Sequence, residues 1–396
     1  MTTHNPAETR RKTALVAGAF TLSVALGTRG SLGLFLAPLA LMGLPIGMTA
    51  FAIAVNSLVW GAAQPVVGAW ADRFGAARIQ AIGAAIYAAG FALPAIFPTT
   101  WAIMLGLGCL TGIGGACTTF GVALSGVARA YPPERRAAAV GLASAGGSIG
   151  QMICPLLAVA ALAWGGPRLG LLVLAGLVLL TIPLGLPLDR AALVVAEKRN
   201  ATAAIRTALG DRAFILVTLG FFTCGFQLSF LSTHLPGYLT LCGMNASAGA
   251  LALTIVGATN ILGSFLYGRF GQRVEPQKVL VWLYVLRAIA ILTFYAAPKT
   301  TVTMILFAGV MGLTWLVTVP LTSGVVARLF GIADIGALFG VCFISHQIGS
   351  FLGAWMGGLA FAWTGNYDAA LLATAAAGLV AAGLNVPIRY TRPALA

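Results

Sequence analysis

The sequence is organised by apolar runs that are each long enough to cross a lipid bilayer. A helix needs about 20 apolar residues to span the hydrocarbon core. Only 8% of this chain is charged, against roughly a quarter of a soluble domain. We therefore predict an all-α, polytopic membrane protein. Its twelve predicted transmembrane helices cover residues 13–38, 47–70, 77–97, 100–129, 137–163, 168–188, 213–240, 246–268, 277–297, 300–328, 335–361 and 368–389.

The basic residues are concentrated between alternate runs. If the N-terminus is placed in the cytoplasm, 19 of the 23 Lys and Arg residues lie on the cytoplasmic side. Only Arg168 and Lys299 lie opposite, while Arg29 and Arg287 lie within spans. Cytoplasmic loops of membrane proteins carry such an excess. We expect both termini in the cytoplasm, an uncleaved first span, a bacterial inner membrane as the location, and no nucleic-acid partner.

The cysteines and histidines form no metal or redox motif. The six cysteines all lie in apolar runs, and the sequence contains no CxxC and no Cys/His cluster. This placement is typical of small packing residues. No nucleophile motif or phosphate-binding loop is present either. The sequence therefore predicts no metal, no cofactor and no enzymatic activity.

The second half of the chain repeats the first at an offset close to 200. The segment "GSIGQ" at 147–151 matches "HQIGS" at 346–350, and "GAWADRFG" at 68–75 matches "SFLYGRFG" at 264–271. We predict a cytoplasmic tail over 1–12, a six-helix bundle over 13–188, a linker over 189–212, a second bundle over 213–389 and a tail over 390–396. The charged linker is expected to form a short surface helix.

The loop between the second and third spans carries a recognisable signature. The segment "GAWADRFGAAR" at 68–78 resembles the loop motif of the major facilitator superfamily. The motif positions are occupied by Gly68, Asp72, Arg73, Gly75 and Arg78. The resemblance implies twelve helices in two pseudo-repeated six-helix bundles and transport by alternating access, usually as a monomer. It also implies that spans 1, 4, 7 and 10 line a central cavity.

Two further segments indicate a branch of that superfamily. The segments "TRGSLGLFLAPLA" at 28–40 and "HQIGSFLGAWMGG" at 346–358 look like those of monocarboxylate-porter-like proteins and oxalate–formate exchangers. This similarity implies transport of a small organic anion, with a proton or in exchange. The alternative is a proton-coupled drug antiporter, because "GLASAGGSIGQMICP" at 141–155 is close to the antiporter signature. Gly108, however, stands where the fourth span of proton antiporters has an arginine.

The charged residues inside the predicted spans favour an anion as substrate. None of the nine acidic residues falls at mid-membrane, whereas a cavity for cationic drugs is expected to hold a carboxylate. Arg29 lies deep in span 1, and an intramembrane arginine is costly enough to indicate a function. Its planar guanidinium suits a carboxylate, although bonding to carbonyls of span 4 or 5 is the alternative. We expect Arg287 in span 9 to pack against neighbouring helices.

Other polar residues are predicted to assist binding or gating. His346 is the candidate for proton coupling and substrate contact, because imidazole can exchange a proton near neutral pH; a packing role remains open. The further predicted substrate-binding residues are Gln227, Thr118, Asn260 and Trp315. The loop residues named above, together with Arg135 and Arg136, are predicted to gate the cytoplasmic side. His234 and Tyr238, beside Pro236, are predicted to gate the outer side.

Overall fold

The protein is described here by a computed structural model that covers residues 6–189, 201–270, 274–331 and 335–390. Every regular element in these ranges is helical. The first half contains Pro6–Gly30, Leu32–Phe35, Leu36–Ala40, Ile46–Phe74, Ala76–Ile96, Thr100–Ile103, Met104–Leu110, Thr111–Thr118, Phe120–Leu124, Ser125–Ala130, Pro133–Gly185 and Leu186–Asp189. The second half contains Ala201–Leu209, Arg212–Leu241, Ser247–Phe270, Pro276–Ala296, Thr301–Leu313, Thr318–Phe330, Ile335–Thr364 and Asp368–Asn385.

These helices form twelve membrane spans. Eleven stretches of the described chain are long and apolar enough to cross a bilayer. One of them, Ala139–Leu188, has 50 residues, which at about 1.5 Å per residue is more than twice the hydrocarbon thickness. It is divided by the non-helical residues Gly165 and Gly166. Gly166 has a φ of 67°, which only glycine adopts readily. The stretch is therefore two spans, and the predicted number of twelve is confirmed.

The two halves repeat each other in their internal hydrogen bonds. In the first half, the Tyr87 hydroxyl of span 3 donates to the carbonyl oxygen of Ala25 in span 1, at 3.1 Å. In the second half, the Tyr284 hydroxyl of span 9 donates to the carbonyl oxygen of Gly220 in span 7, at 2.8 Å. The two tyrosines are 197 residues apart, which agrees with the offset seen in the sequence. The second half buries a hydrophobic cluster made only of its own residues, whereas a cluster centred on the first half also includes Ala250, Leu253 and Ala354 of the second half.

Spans 4 and 10 are interrupted near their middles. Span 4 passes through two π-helical segments, and Thr119 between them has a non-helical backbone (φ −112°, ψ −148°). Span 10 changes from Thr301–Leu313 to Thr318–Phe330 through a turn at residues 314–317. Interrupted backbone at membrane depth is tolerated only where protein or a water-filled cavity satisfies its polar groups. The interruptions therefore indicate that the middles of spans 4 and 10 face the interior of the bundle.

The halves meet along three pairs of spans. Span 2 packs on span 11, span 5 on span 8, and span 1 on span 7. The approach of spans 1 and 7 is so close that a Cβ at Gly33 would lie 2.2 Å from the Ser232 carbonyl oxygen. The Phe51 ring of span 2 lies 6.0 Å from that of Phe351 in span 11. These contacts lie toward the membrane face opposite to the start of span 1, which we call the opposite face.

The linker between the halves contains the predicted short helix, over Ala201–Leu209. Ala208 is fully buried, so the helix is packed against the second bundle through one side. Residues 190–200 of the predicted linker and the C-terminal tail from 391 lie outside the described residues. Span 7 then begins with Asp211 as its N-cap, whose carboxylate accepts from the backbone N–H of Ala213 and Phe214. This cap satisfies two of the free N–H groups at the helix start.

Candidate functional site

A cavity lies between the two halves, at the middle of the membrane spans. Its volume is about 80 Å³, which is enough for a few water molecules or a small ion. Both halves contribute to it. The lining residues are Leu26, Arg29, Gly30, Trp60, Phe120, Gln151, Pro155, Phe221, Leu228, Ser229, Ser232, Leu253, Val256, Trp315, Leu316, Val319, Phe343, His346 and Ser350. No acidic side chain belongs to this set, which is drawn from the described part of the chain.

Arg29 reaches the cavity from the last turn of the helix Pro6–Gly30. The negative end of the helix dipole favours a cation there. Its Nε donates to Asn56 Oδ1 at 3.2 Å, and its Nη2 donates to Ser57 Oγ at 2.8 Å. Both partners are side chains of span 2, rather than the carbonyls of span 4 or 5 considered from the sequence. Nη1 makes no hydrogen bond to a described residue, so it is available to a ligand.

The Arg29 guanidinium is also held by Trp60, and its carbon Cζ lies 4.6 Å from the centre of the indole ring. The Trp60 Nε1–H donates to Gln64 Oε1 at 2.9 Å and to Thr119 Oγ1 at 3.0 Å. Thr119 is the residue at which span 4 is interrupted. The cation, the indole and the interrupted span therefore form one connected network, and the orientation of Arg29 depends on spans 2 and 4.

His346 reaches the same cavity from span 11 in the second half. Its Nδ1 lies 3.3 Å from Gln347 Oε1. Its ring lies 4.7 Å from the Phe221 ring and stacks on Phe343 at 6.0 Å. Arg29 and His346, one from each half, are thus placed around one space.

The other residues predicted to bind substrate divide into two groups. Trp315 lines the cavity, at the interruption of span 10. Gln227, Thr118 and Asn260 are buried but are not among the lining residues. Gln227 donates to the Thr374 carbonyl at 3.0 Å, and Thr118 donates to the Gly114 carbonyl at 2.8 Å. In this conformation their polar groups serve helix packing, and a ligand role for them stays a prediction.

Asn260 connects the two halves. Its Nδ2 donates to Ser148 Oγ of span 5 at 2.7 Å, and its Oδ1 accepts from the backbone N–H of Leu316 at 3.1 Å. Leu316 belongs to the turn that interrupts span 10. Asn260 therefore joins the first half to the interrupted segment that presents Trp315 to the cavity.

Arg287 is fully buried within the second half. Nε donates to Thr314 Oγ1 at 3.1 Å, and Nη2 donates to the carbonyl oxygens of Thr314 and Trp315. Nη1 donates to Cys224 Sγ and to Gln227 Oε1, both at 3.5 Å. A guanidinium has five N–H donors, and all five are used. Arg287 packs against neighbouring spans as expected, and it satisfies the carbonyls exposed by the interruption of span 10.

The predicted gating residues lie near the ends of the spans. Gly75 ends span 2 with a φ of 98°, a conformation that favours glycine and accounts for its place in the loop motif. Arg73, Arg78 and Arg135 are exposed, and Arg136 is half-buried. Nothing lies within 4 Å of a Cβ built at Gly68, while the side chain of Asp72 lies outside the described part of the structure.

On the opposite-face side, both predicted gate residues of span 7 are buried. His234 Nε2 bonds to the Ala354 carbonyl at 2.7 Å. The Tyr238 ring lies 6.1 Å from that of Phe294. Neither lines the central cavity, and gating by either residue stays a prediction.

Most of the aromatic lining was not predicted from the sequence. Trp60, Phe120, Phe221 and Phe343 surround the polar groups of the cavity. In the sequence they look like the many aromatic residues that face lipid or protein in any span. The available signal was position: Trp60 lies four residues after Asn56, one helical turn along the face that Arg29 contacts.

Twelve spans in two related bundles around a mid-membrane cavity define a transporter fold. The chain belongs to the Major Facilitator Superfamily, whose family model matches residues 13–259 and 242–395. It is a membrane transporter of that superfamily, as the loop motif predicted, and it is not an enzyme.

Relatives of known sequence agree with this assignment. The chain is 25% identical over 365 residues to the uncharacterised MFS-type transporter YcxA of Bacillus subtilis (strain 168), covering 88% of each chain. It is 28% identical over 339 residues to monocarboxylate transporter 11 of Mus musculus, covering 82% of this chain and 75% of the mouse protein. A bacterial homologue of the human lysosomal transporter Spinster, solved in an inward-facing and occupied conformation, superposes with a TM-score of 0.73 at 16% identity, covering 95% and 96% of the two chains. That similarity supports the fold.

Proposed function

We propose that the protein transports a small, monocarboxylate-like organic anion across the bacterial inner membrane. The observation that carries the proposal is the free Nη1 of Arg29 in a mid-membrane cavity whose described lining has no acidic side chain. An anionic partner stabilises a charged arginine in such a place. Guanidinium binds carboxylate through charge-assisted hydrogen bonds. The substrate carboxylate would supply the counter-charge that the protein does not.

The lining of the cavity also supports a small substrate with an apolar body. Trp60, Phe120, Phe343 and Trp315 surround the space next to Arg29, and ligand sites commonly combine apolar walls with a few polar groups. The volume of about 80 Å³ favours an anion of a few heavy atoms over a drug-sized molecule in this conformation. The names of the mammalian relatives, monocarboxylate transporters 11 and 13, support the same substrate class.

His346 is the proposed site of proton coupling. Its imidazole lines the cavity beside the proposed anion site, and imidazole gains and loses a proton near neutral pH. A protonated ring adds a second positive charge to the cavity and strengthens anion binding. Release of that proton on the other side of the membrane would then weaken binding and favour substrate release.

The close packing of the halves supports alternating access. Gly33 against Ser232, and Phe51 against Phe351, lie between the cavity and the opposite face. We propose that these contacts close the outer side, with both termini in the cytoplasm. The loop residues Asp72, Arg73, Arg135 and Arg136 would form the contacts that close the cytoplasmic side in the other half of the cycle. The working unit is proposed to be a monomer.

The deciding experiment is a ligand screen by thermal unfolding of the purified chain and of Arg29→Gln. Ligand at 100 times its Kd stabilises the folded state by about 2.7 kcal/mol. We expect small monocarboxylates to raise the Tm of the natural chain and not that of Arg29→Gln. The control is Arg168→Gln, which removes an exposed arginine far from the cavity and should leave the response intact. Stabilisation by lipophilic cations alone would instead support the drug-antiporter alternative.

A further inference from the structure

A second cavity lies at the end of the second bundle, where span 9 begins and span 12 ends. Its volume is about 610 Å³, and it is separate from the central cavity in its lining residues. We call it the span 9–12 pocket. The residues that define it here are Glu275, Lys278, Trp282, Asn385, Arg389 and Tyr390. Because spans 9 and 12 begin and end on the face where span 1 begins, the pocket opens on the face with the basic loops.

The pocket carries an excess of positive charge. Lys278 Nζ forms an ion pair with Glu275 Oε2 at 2.8 Å, which lowers the pKa of this carboxyl and keeps it ionised near neutral pH. The guanidinium of Arg328 lies 5.5 Å from the Tyr390 ring. Arg389 is exposed and forms no ion pair with a described residue. Lys278 and Arg389 line the pocket together with the single carboxylate of Glu275, and Arg328 lies next to Tyr390. The basic groups therefore outnumber the acidic one, and the surplus suits an anionic group.

The depth of the pocket corresponds to the lipid headgroup region. Trp282 lies one helical turn beyond Lys278, and 74% of its surface is exposed. Exposed tryptophan is characteristic of the membrane–water interface, and basic residues accumulate just outside it. Val281 adds apolar surface on the bilayer side of the pocket. The combination can hold a charged headgroup at one end and lipid chains at the other.

We propose that the span 9–12 pocket binds an anionic phospholipid, of which phosphatidylglycerol is the test case. The phosphate contacts Arg389 and Lys278, and the acyl chains lie along Trp282. The site is independent of the substrate cavity. Lipid bound there joins the start of span 9 to the end of span 12 and stabilises the second bundle.

The test titrates the full chain, purified in non-ionic detergent, with phosphatidylglycerol and phosphatidylcholine while thermal unfolding is recorded. We expect a saturable rise in Tm with phosphatidylglycerol alone. In the double variant Lys278→Gln, Arg389→Gln, apparent affinity should fall about thirtyfold, since each basic residue near the membrane surface contributes about fivefold. The charge-matched control, Arg168→Gln with Arg206→Gln, changes two exposed arginines and should retain the affinity.

Equal losses in both double variants, equal binding of phosphatidylcholine, or equally tight binding of soluble glycerol phosphate would each overturn the proposal.

Discussion

The Arg29 guanidinium lies over the indole ring of Trp60, with 4.6 Å between Cζ and the ring centre. Cation–π contacts contribute about 0.5–2 kcal/mol, the most where water is excluded. The same indole is fixed by hydrogen bonds to Gln64 and Thr119. Trp60 therefore contributes to both the stability and the orientation of the cation that we propose as the anion site, together with Asn56 and Ser57.

Replacement of Trp60 should weaken anion binding without removing it. We expect Trp60→Leu to raise the Kd for the best carboxylate about threefold to thirtyfold, the range that corresponds to the loss of a cation–π contact. Trp60→Phe keeps an aromatic face, so its Kd should lie between those of the natural chain and Trp60→Leu. The measurement is isothermal titration of the purified proteins. An unchanged Kd in Trp60→Leu would show that Arg29 does not depend on the indole.

The twelve spans and their repeat could be predicted because lipid imposes a simple rule of length and apolarity. Arg29 and His346 could also be identified, since charged or titratable side chains inside apolar runs are rare. The interruption of span 10 could not be predicted from the sequence. The segment "GLTWLVTVP" at 312–320 is apolar, and the carbonyls that it frees are satisfied by Arg287 from another span. Likewise, Trp60 carries only a positional signal, one helical turn after Asn56, and the apolar residues around it do not show which side of span 2 faces the cavity.

Arg287 should be essential for stability rather than for direct contact with the substrate. Arg287→Met leaves the carbonyls of Thr314 and Trp315 without their donor, and each unsatisfied buried group costs about 1–3 kcal/mol. We expect the free energy of unfolding to fall by about 2–5 kcal/mol. Arg287→Lys keeps three donors in place of five, so its free energy of unfolding should fall by less. Unfolding in mixed micelles measures the stability of both Arg287 variants, and Arg168→Met, which changes an exposed arginine, is the control. Equal stability of Arg287→Met and the control would contradict a stabilising role for Arg287.

A side chain at Gly33 should prevent closure of the opposite face. A Cβ there would lie 2.2 Å from the Ser232 carbonyl oxygen, so spans 1 and 7 must separate in Gly33→Ala. We expect a cysteine at the cavity residue Ser229 to react several-fold faster with an impermeant maleimide applied to the opposite face, and transport to slow. The exposed Cys242 would first be replaced by serine.

The matched control for this experiment is Gly340→Ala in span 11, because nothing lies within 4 Å of a Cβ at that position. Its labelling rate should equal that of the natural sequence carrying the same reporter. Faster labelling in both glycine variants would mean that the effect comes from general loosening of the bundles. Unchanged labelling in Gly33→Ala would mean that the close contact of spans 1 and 7 is not the barrier on this side.

Removal of the His346 imidazole should change the pH dependence of transport. The ring lines the cavity, so its protonation adds positive charge next to the proposed anion site and favours binding as the pH falls. Uptake by the natural chain should rise toward low pH, and His346→Gln should flatten this profile. Uptake of labelled carboxylate into proteoliposomes, at equal pH on both sides, gives the measurement.

His234→Gln is the matched control, because that histidine bonds to the Ala354 carbonyl and is not among the cavity-lining residues. His234→Gln should lower the Tm but keep the slope of the pH profile. If His346→Gln also kept this slope, the coupling proton would have to be carried by another group.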